Sequence, residues 1–191
     1  MLGNTELAES ALPNSHPARE DLSGIREAAQ SASRLTQQLL AFSRSQYNPK
    51  AESQPAVELA KLSTLLVSIV GKGVDLVTNV DADCHSVDLQ SGHFEQLLLN
   101  LAANAKHAMH GQGRLHIGLK ARTVDAGEIA ELEAGTYVEL SVADCGVGIA
   151  PDVLPHLFEP FYTTRAGAGG TGLGLATCYG IVTQHGGQIL V

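Results

Sequence analysis

The chain has 191 residues, of which 44% are hydrophobic and 17% charged, with 20 glycines, no tryptophan and a formal charge of -8. Such a length holds one full domain and a smaller appendage, and such a composition supports a packed core. The acidic balance and the lack of any Lys/Arg cluster exclude nucleic acid as the main partner, because binding a phosphate backbone needs a basic face.

In chain order, residues 1–11 read as helical, without the basic region or apolar run of a signal peptide. Pro13 to Pro17 breaks this segment. From Arg19 to Gln46 there is no proline, and Leu22, Ile25, Ala29, Ala32, Leu35, Leu39 and Phe42 recur every three or four residues. That spacing lays one apolar stripe along a helix. Residues 1–46 are thus expected to form a helical hairpin, two of which would complete a four-helix bundle as a homodimer. The plainer alternative is a helix packed on its own domain.

Residues 47–54 read as a linker and residues 55–191 as a mixed α/β domain. Leu59 to Val70 is predicted as a helix, and its longest apolar run is too broken by Ser63, Thr64 and Ser68 to span a membrane. Val74 to Val80 is predicted as a strand. His93 to His110 is predicted as a helix with Leu97, Leu98, Leu101, Ala105 and Ala108 on its apolar side. Leu115 to Ala121 and Tyr137 to Ala143 alternate as strands do, Leu173 to His185 reads as a helix, and Gln188 to Val191 as the start of a strand. Cys84, Cys145 and Cys178 form no Cys-x-x-Cys pair, which fits reduced thiols and a cytoplasmic setting.

Three motifs stand in this second domain. Asn100 and Asn104 are one helical turn apart and share a face, and each offers an amide oxygen suited to Mg²⁺. Asp144-Cys-Gly146-Val-Gly148 follows a strand, where glycines admit a flat ligand and the carboxylate can accept a hydrogen bond from an exocyclic amine. Gly170-Thr171-Gly172-Leu173-Gly174 opens a helix and presents free N–H groups to phosphate. Each is weak alone: helical asparagines are usually solvated or paired with each other, and a glycine run is as readily a plain turn.

In order, these motifs resemble those of the GHKL ATPase superfamily, and Leu157 to Thr164 resembles the F box of its histidine-kinase branch. Leu35 to Arg44 resembles the second helix of that branch's dimerisation and phosphotransfer hairpin. The resemblance implies an α+β fold, an α/β sandwich of the GHKL (Bergerat) type, preceded by the partial hairpin. It implies that Asp144 binds the adenine of ATP, that Asn104 holds Mg²⁺, and that Asn100 assists the polar network. Lys106, His107 and Arg165 are expected at phosphate oxygens. Gly146, Gly148, Gly170, Thr171, Gly172, Leu173 and Gly174 shape the pocket and the lid hinge, while Phe158 and Phe161 pack the lid. The reaction expected is transfer of the γ-phosphoryl group to histidine, for relay to an aspartate of a response regulator receiver domain. None of the eight histidines lies in a matching acceptor context, so the phosphoacceptor is expected upstream of Met1. The gyrase-like branch carries a water-activating glutamate where this chain has Asn100, an amide that accepts no proton at neutral pH. Slow hydrolysis is therefore expected. The alternative function is a nucleotide-binding and dimerisation module that regulates a partner without phosphotransfer.

Overall fold

The computed structural model describes residues 53–84, 86–89, 91–165 and 170–191, with residues 8, 12, 13, 16, 18, 19 and 21–25. Two units separate: Met1–Tyr47 with Arg165–Gly169, and Asn48–Thr164 with Gly170–Val191. In the first unit, where the sequence suggests a break at Pro13, the His16 N–H donates to the Pro13 carbonyl at 3.0 Å. Residues 18, 19 and 21–25 are helical. The remaining stripe from Ala29 to Phe42, and with it the hairpin, lies outside the described residues.

The second unit begins with α1 (Pro55–Val70), whose proline occupies the first turn, where a missing N–H costs no helical bond. The helix therefore starts four residues before the apolar run suggests. It ends at Gly71, whose φ of +86° suits a residue without a Cβ. β1 (Val74–Val80), α2 (Ser91–Ala108), β2 (Gly113–Val124), β3 (Gly135–Asp144) and α3 (Gly174–Gln184) follow. β1 pairs in parallel with β2, β2 pairs antiparallel with β3, and the sheet order is β1-β2-β3.

Period-two alternation sorts the faces of the sheet. Leu115, Ile117 and Leu119 of β2 are buried beneath Leu59, Leu66 and Val70 of α1 and Phe94, Leu98, Ala102 and Ala105 of α2. The alternate positions Arg114 and Lys120 face water, and Arg114 and Lys120 pair with Asp75 and Glu139. β2 and β3 both run beyond their predicted ends. Arg122, bonded to Glu139 at 2.9 Å and Glu128 at 2.8 Å, supports the extension.

α2 buries more than the predicted stripe. Leu98, Ala102 and Ala105, with Met109 just past the helix end, enter the sheet core, while Leu97 joins Cys178 and Ile181 in a second apolar seam against α3. Leu101 and Ala108 are only half-buried. The strand expected over Gln188 to Val191 is absent: these residues have no strand pairing, and Ile189 packs into the α2–α3 seam instead.

Candidate functional site

Asn100 and Asn104 project from one face of α2 towards the start of α3. A Cβ placed on Gly174 would lie 3.8 Å from Asn100 Oδ1 and 3.8 Å from Asn104 Nδ2. The Asn100 Nδ2 donates to the Gly174 carbonyl at 3.2 Å, and its Oδ1 receives the Gln96 Nε2 at 3.4 Å. Asn104 is half-buried, and its amide has no hydrogen-bond partner among the described residues. Its carbonyl oxygen is therefore open, and a hard neutral oxygen of this kind fits Mg²⁺.

The Asp144 motif is fastened to the far end of the same helix. The Val147 N–H donates to the Ala108 carbonyl at 3.2 Å, and a Cβ on Gly146 would lie 2.6 Å from that carbonyl oxygen. Only glycine permits this backbone approach. Asp144 pairs in register with Leu115, which places it on the helix-covered face of the sheet, at its exposed end. Its Oδ1 accepts the Gly146 N–H at 2.8 Å, leaving the other carboxylate oxygen for a ligand.

The third motif opens α3. Leu173 caps the helix without a side-chain acceptor, so the leading N–H groups stay available for an anion. Gly172, at φ +66°, lies so close to the backbone of Phe161 that a Cβ would not fit, and its carbonyl accepts the Phe161 N–H at 3.0 Å. Phe161 is itself left-handed at φ +68°, an unusual conformation for an aromatic residue, and is 71% exposed. Thus it does not pack as expected, whereas Phe158 stacks on Tyr179 of α3 with ring centroids 5.1 Å apart.

Not every predicted residue joins this constellation. The Lys106 Nζ donates to the Ile69 carbonyl at 2.7 Å and so serves the last turn of α1. His107 is exposed one turn beyond Ala103, to whose carbonyl its Nδ1 is bonded at 2.6 Å. Arg165 falls outside the unit that holds the three motifs. Conversely, Gln96 and Cys178 are joined to Asn100 without having been singled out. The four-residue steps Gln96–Asn100 and Gly174–Cys178 carried that signal. Burial pushes the Cys178 thiol up to about 11, so it remains protonated near neutrality.

Residues 90–191 match the profile of the family described as histidine kinase-, DNA gyrase B-, and HSP90-like ATPase. The sensor kinase CckA of Brucella abortus (strain 2308) is 41% identical over 181 residues, 92% of this chain and 19% of that protein. The signal transduction histidine-protein kinase AtoS of Escherichia coli (strain K12) is 30% identical over 178 residues, 91% of this chain and 26% of that protein. The chain thus spans about a fifth to a quarter of the length of these relatives. Full-length ShkA, solved in complex with AMPPNP, superposes with a TM-score of 0.62 at 26% identity, covering 95% of this chain and 37% of that one. The mycobacterial sensor histidine kinase MprB shares the fold, with a TM-score of 0.55 at 23% identity over 71% of this chain and 80% of that one. The chain belongs to the histidine kinase-, DNA gyrase B- and HSP90-like ATPase family and is homologous to sensor histidine kinases.

Proposed function

We propose that this chain binds ATP with Mg²⁺ and presents the γ-phosphoryl group to a histidine on a dimerisation helix, for relay to a receiver-domain aspartate. The observation that carries this reading is the meeting of the Asn100–Asn104 face with the open N-terminus of α3, while the Asp144 loop is fastened to the same helix. Asp144 accepts the adenine amino group, Asn104 holds Mg²⁺, and the first turn of α3 receives phosphate oxygens. Bound Mg²⁺ supplies charge neutralisation along the phosphates. His107 and Arg165 are placed at the phosphates by proposal, and Lys106 serves α1. An imidazole nitrogen attacks the γ-phosphorus, the bond to the bridging oxygen breaks, and ADP leaves; positioning and charge stabilisation carry such transfers. Two copies associate through residues 1–46.

Calorimetric titration with Mg–AMP-PNP tests the binding. Saturable binding is expected, and none at millimolar nucleotide would overturn the reading. Asp144→Asn removes a charged acceptor and should weaken binding by about 1.5–3 kcal/mol.

A further inference from the structure

Asn100 lies between two partners of opposite demand. The Gly174 group that meets Asn100 is its carbonyl oxygen, so Asn100 turns its NH₂ towards α3 and its oxygen away. That oxygen meets the Gln96 carboxamide, one turn earlier on α2, which must then present its own NH₂. The result is a directional relay from the Gln96 NH₂ to the Asn100 oxygen, and from the Asn100 NH₂ to the Gly174 carbonyl. Reversing either amide would bring two oxygens face to face.

The element that this relay holds has few other constraints at the same end. Leu173 gives α3 no side-chain cap, and no acidic residue stands in its first turn. Among the described residues, the Leu173 N–H reaches only the Thr171 Oγ1, at 3.4 Å. Gly174 has no side chain with which to anchor itself. Cys178, one turn on, is buried and meets the Asn100 side chain. Asn100 is therefore the polar fastening of the opening turn of α3 to α2, and Gln96 sets which way it faces.

We propose that Gln96 is a positioning residue for nucleotide binding, acting through Asn100 to keep the opening turn of α3 aimed at the phosphates. The inference rests on the ATP reading above and deepens it. Two substitutions separate direction from mere packing. Gln96→Leu deletes the donor, leaving Asn100 correctly turned by Gly174 alone. Gln96→Glu keeps size and shape but offers only acceptors, draws the Asn100 NH₂ to itself and turns the Asn100 oxygen against the Gly174 carbonyl.

With the whole chain, titration with Mg–AMP-PNP should show Kd raised roughly 3- to 10-fold in Gln96→Leu, the range of one lost hydrogen bond, and raised further in Gln96→Glu. In an Asn100→Ala background the Gln96→Leu effect should shrink to less than about twofold, as coupling requires. A second measurement needs no nucleotide. Hydrogen exchange of the Thr177 N–H, bonded to the Leu173 carbonyl at 2.9 Å, should quicken roughly tenfold in Gln96→Glu while the Ile181 amide and Tm hold, the pattern of a local opening. Equal Kd values for wild type, Gln96→Leu and Gln96→Glu, or unchanged Thr177 exchange, would overturn the relay. Failure of the wild-type chain to bind AMP-PNP would instead overturn the ATP reading, and the exchange measurement would still decide the relay.

Discussion

Gly146 and Gly174 are both glycines of nucleotide motifs, but the structure requires them for different reasons. A Cβ at Gly146 would enter the Ala108 backbone, whereas one at Gly174 would make ordinary contact at 3.8 Å with the Asn100 and Asn104 amides. Gly146→Ala should therefore lower stability by about 1–3 kcal/mol, the usual range of overpacking. Gly174→Ala should fold nearly as well as the native chain and lose nucleotide affinity, because its methyl group narrows the gap between the two amides and α3. Urea denaturation paired with AMP-PNP titration distinguishes the two, and comparable stability losses would refute the distinction. Asn100 bears on turnover in the same way. Its NH₂ is bonded to Gly174, and an amide supplies no base, a group that typically contributes about 10²–10⁴-fold. Steady-state phosphate release should be slow, and several turnovers per second would show that another group activates water. Asn100→Glu should not repair this, since it sets a carboxylate against the Gly174 carbonyl.

At the scale of elements, α3 is fastened to α2 at both ends. Opposite the Asn100 contact, the His93 Nδ1 and His185 Nε2 lie 3.0 Å apart, with His93 only 7% exposed. One nitrogen donates and the other accepts. Burial, and then the neighbouring His185, hold the His93 pKa below its ordinary 6.5. The folded chain thus resists a proton that the unfolded chain accepts. This contribution to stability is complete above pH 6.5 and is lost as pH falls from there through the depressed folded value. Tm should drop as pH falls below 6.5, and His93→Gln should flatten that slope; an unchanged slope would exclude the pair as its source. Most of these elements were legible from sequence, because β1, α2 and α3 carry their periodicity in their own residues. What was not legible depended on partners distant in the chain. The ends of β2 and β3 follow from Arg122 and Glu139 meeting across the ladder, the unpaired course of Gln188 to Val191 goes with the packing of Ile189 into the α2–α3 seam, and the clasp at Gly174 is a contact spanning 74 positions. Lys106 shows the same limit: the family resemblance suggested phosphate, but its ammonium is bonded to the Ile69 carbonyl of α1, 37 positions away.

For the whole molecule, the sandwich leaves one sheet face to water, where Lys120, Arg122, Glu128 and Glu139 pair. Such exposed pairs add little stability, so the helix-covered face holds the domain together. No helix among the described residues is long and apolar enough to cross a membrane. None of the eight histidines occupies an acceptor context, so incubation of the chain alone with γ-labelled ATP should leave them unlabelled. An acid-labile, alkali-stable label on any of them would contradict this. The bond between Phe161 and Gly172 has a further consequence. It ties Phe161 to Gly172 directly, so the two ends of the segment between them are held together whatever its length. Doubling the length of such a loop costs only about 0.6 kcal/mol. A change in the length of that segment should therefore leave the pairing of β2 with β3 in register.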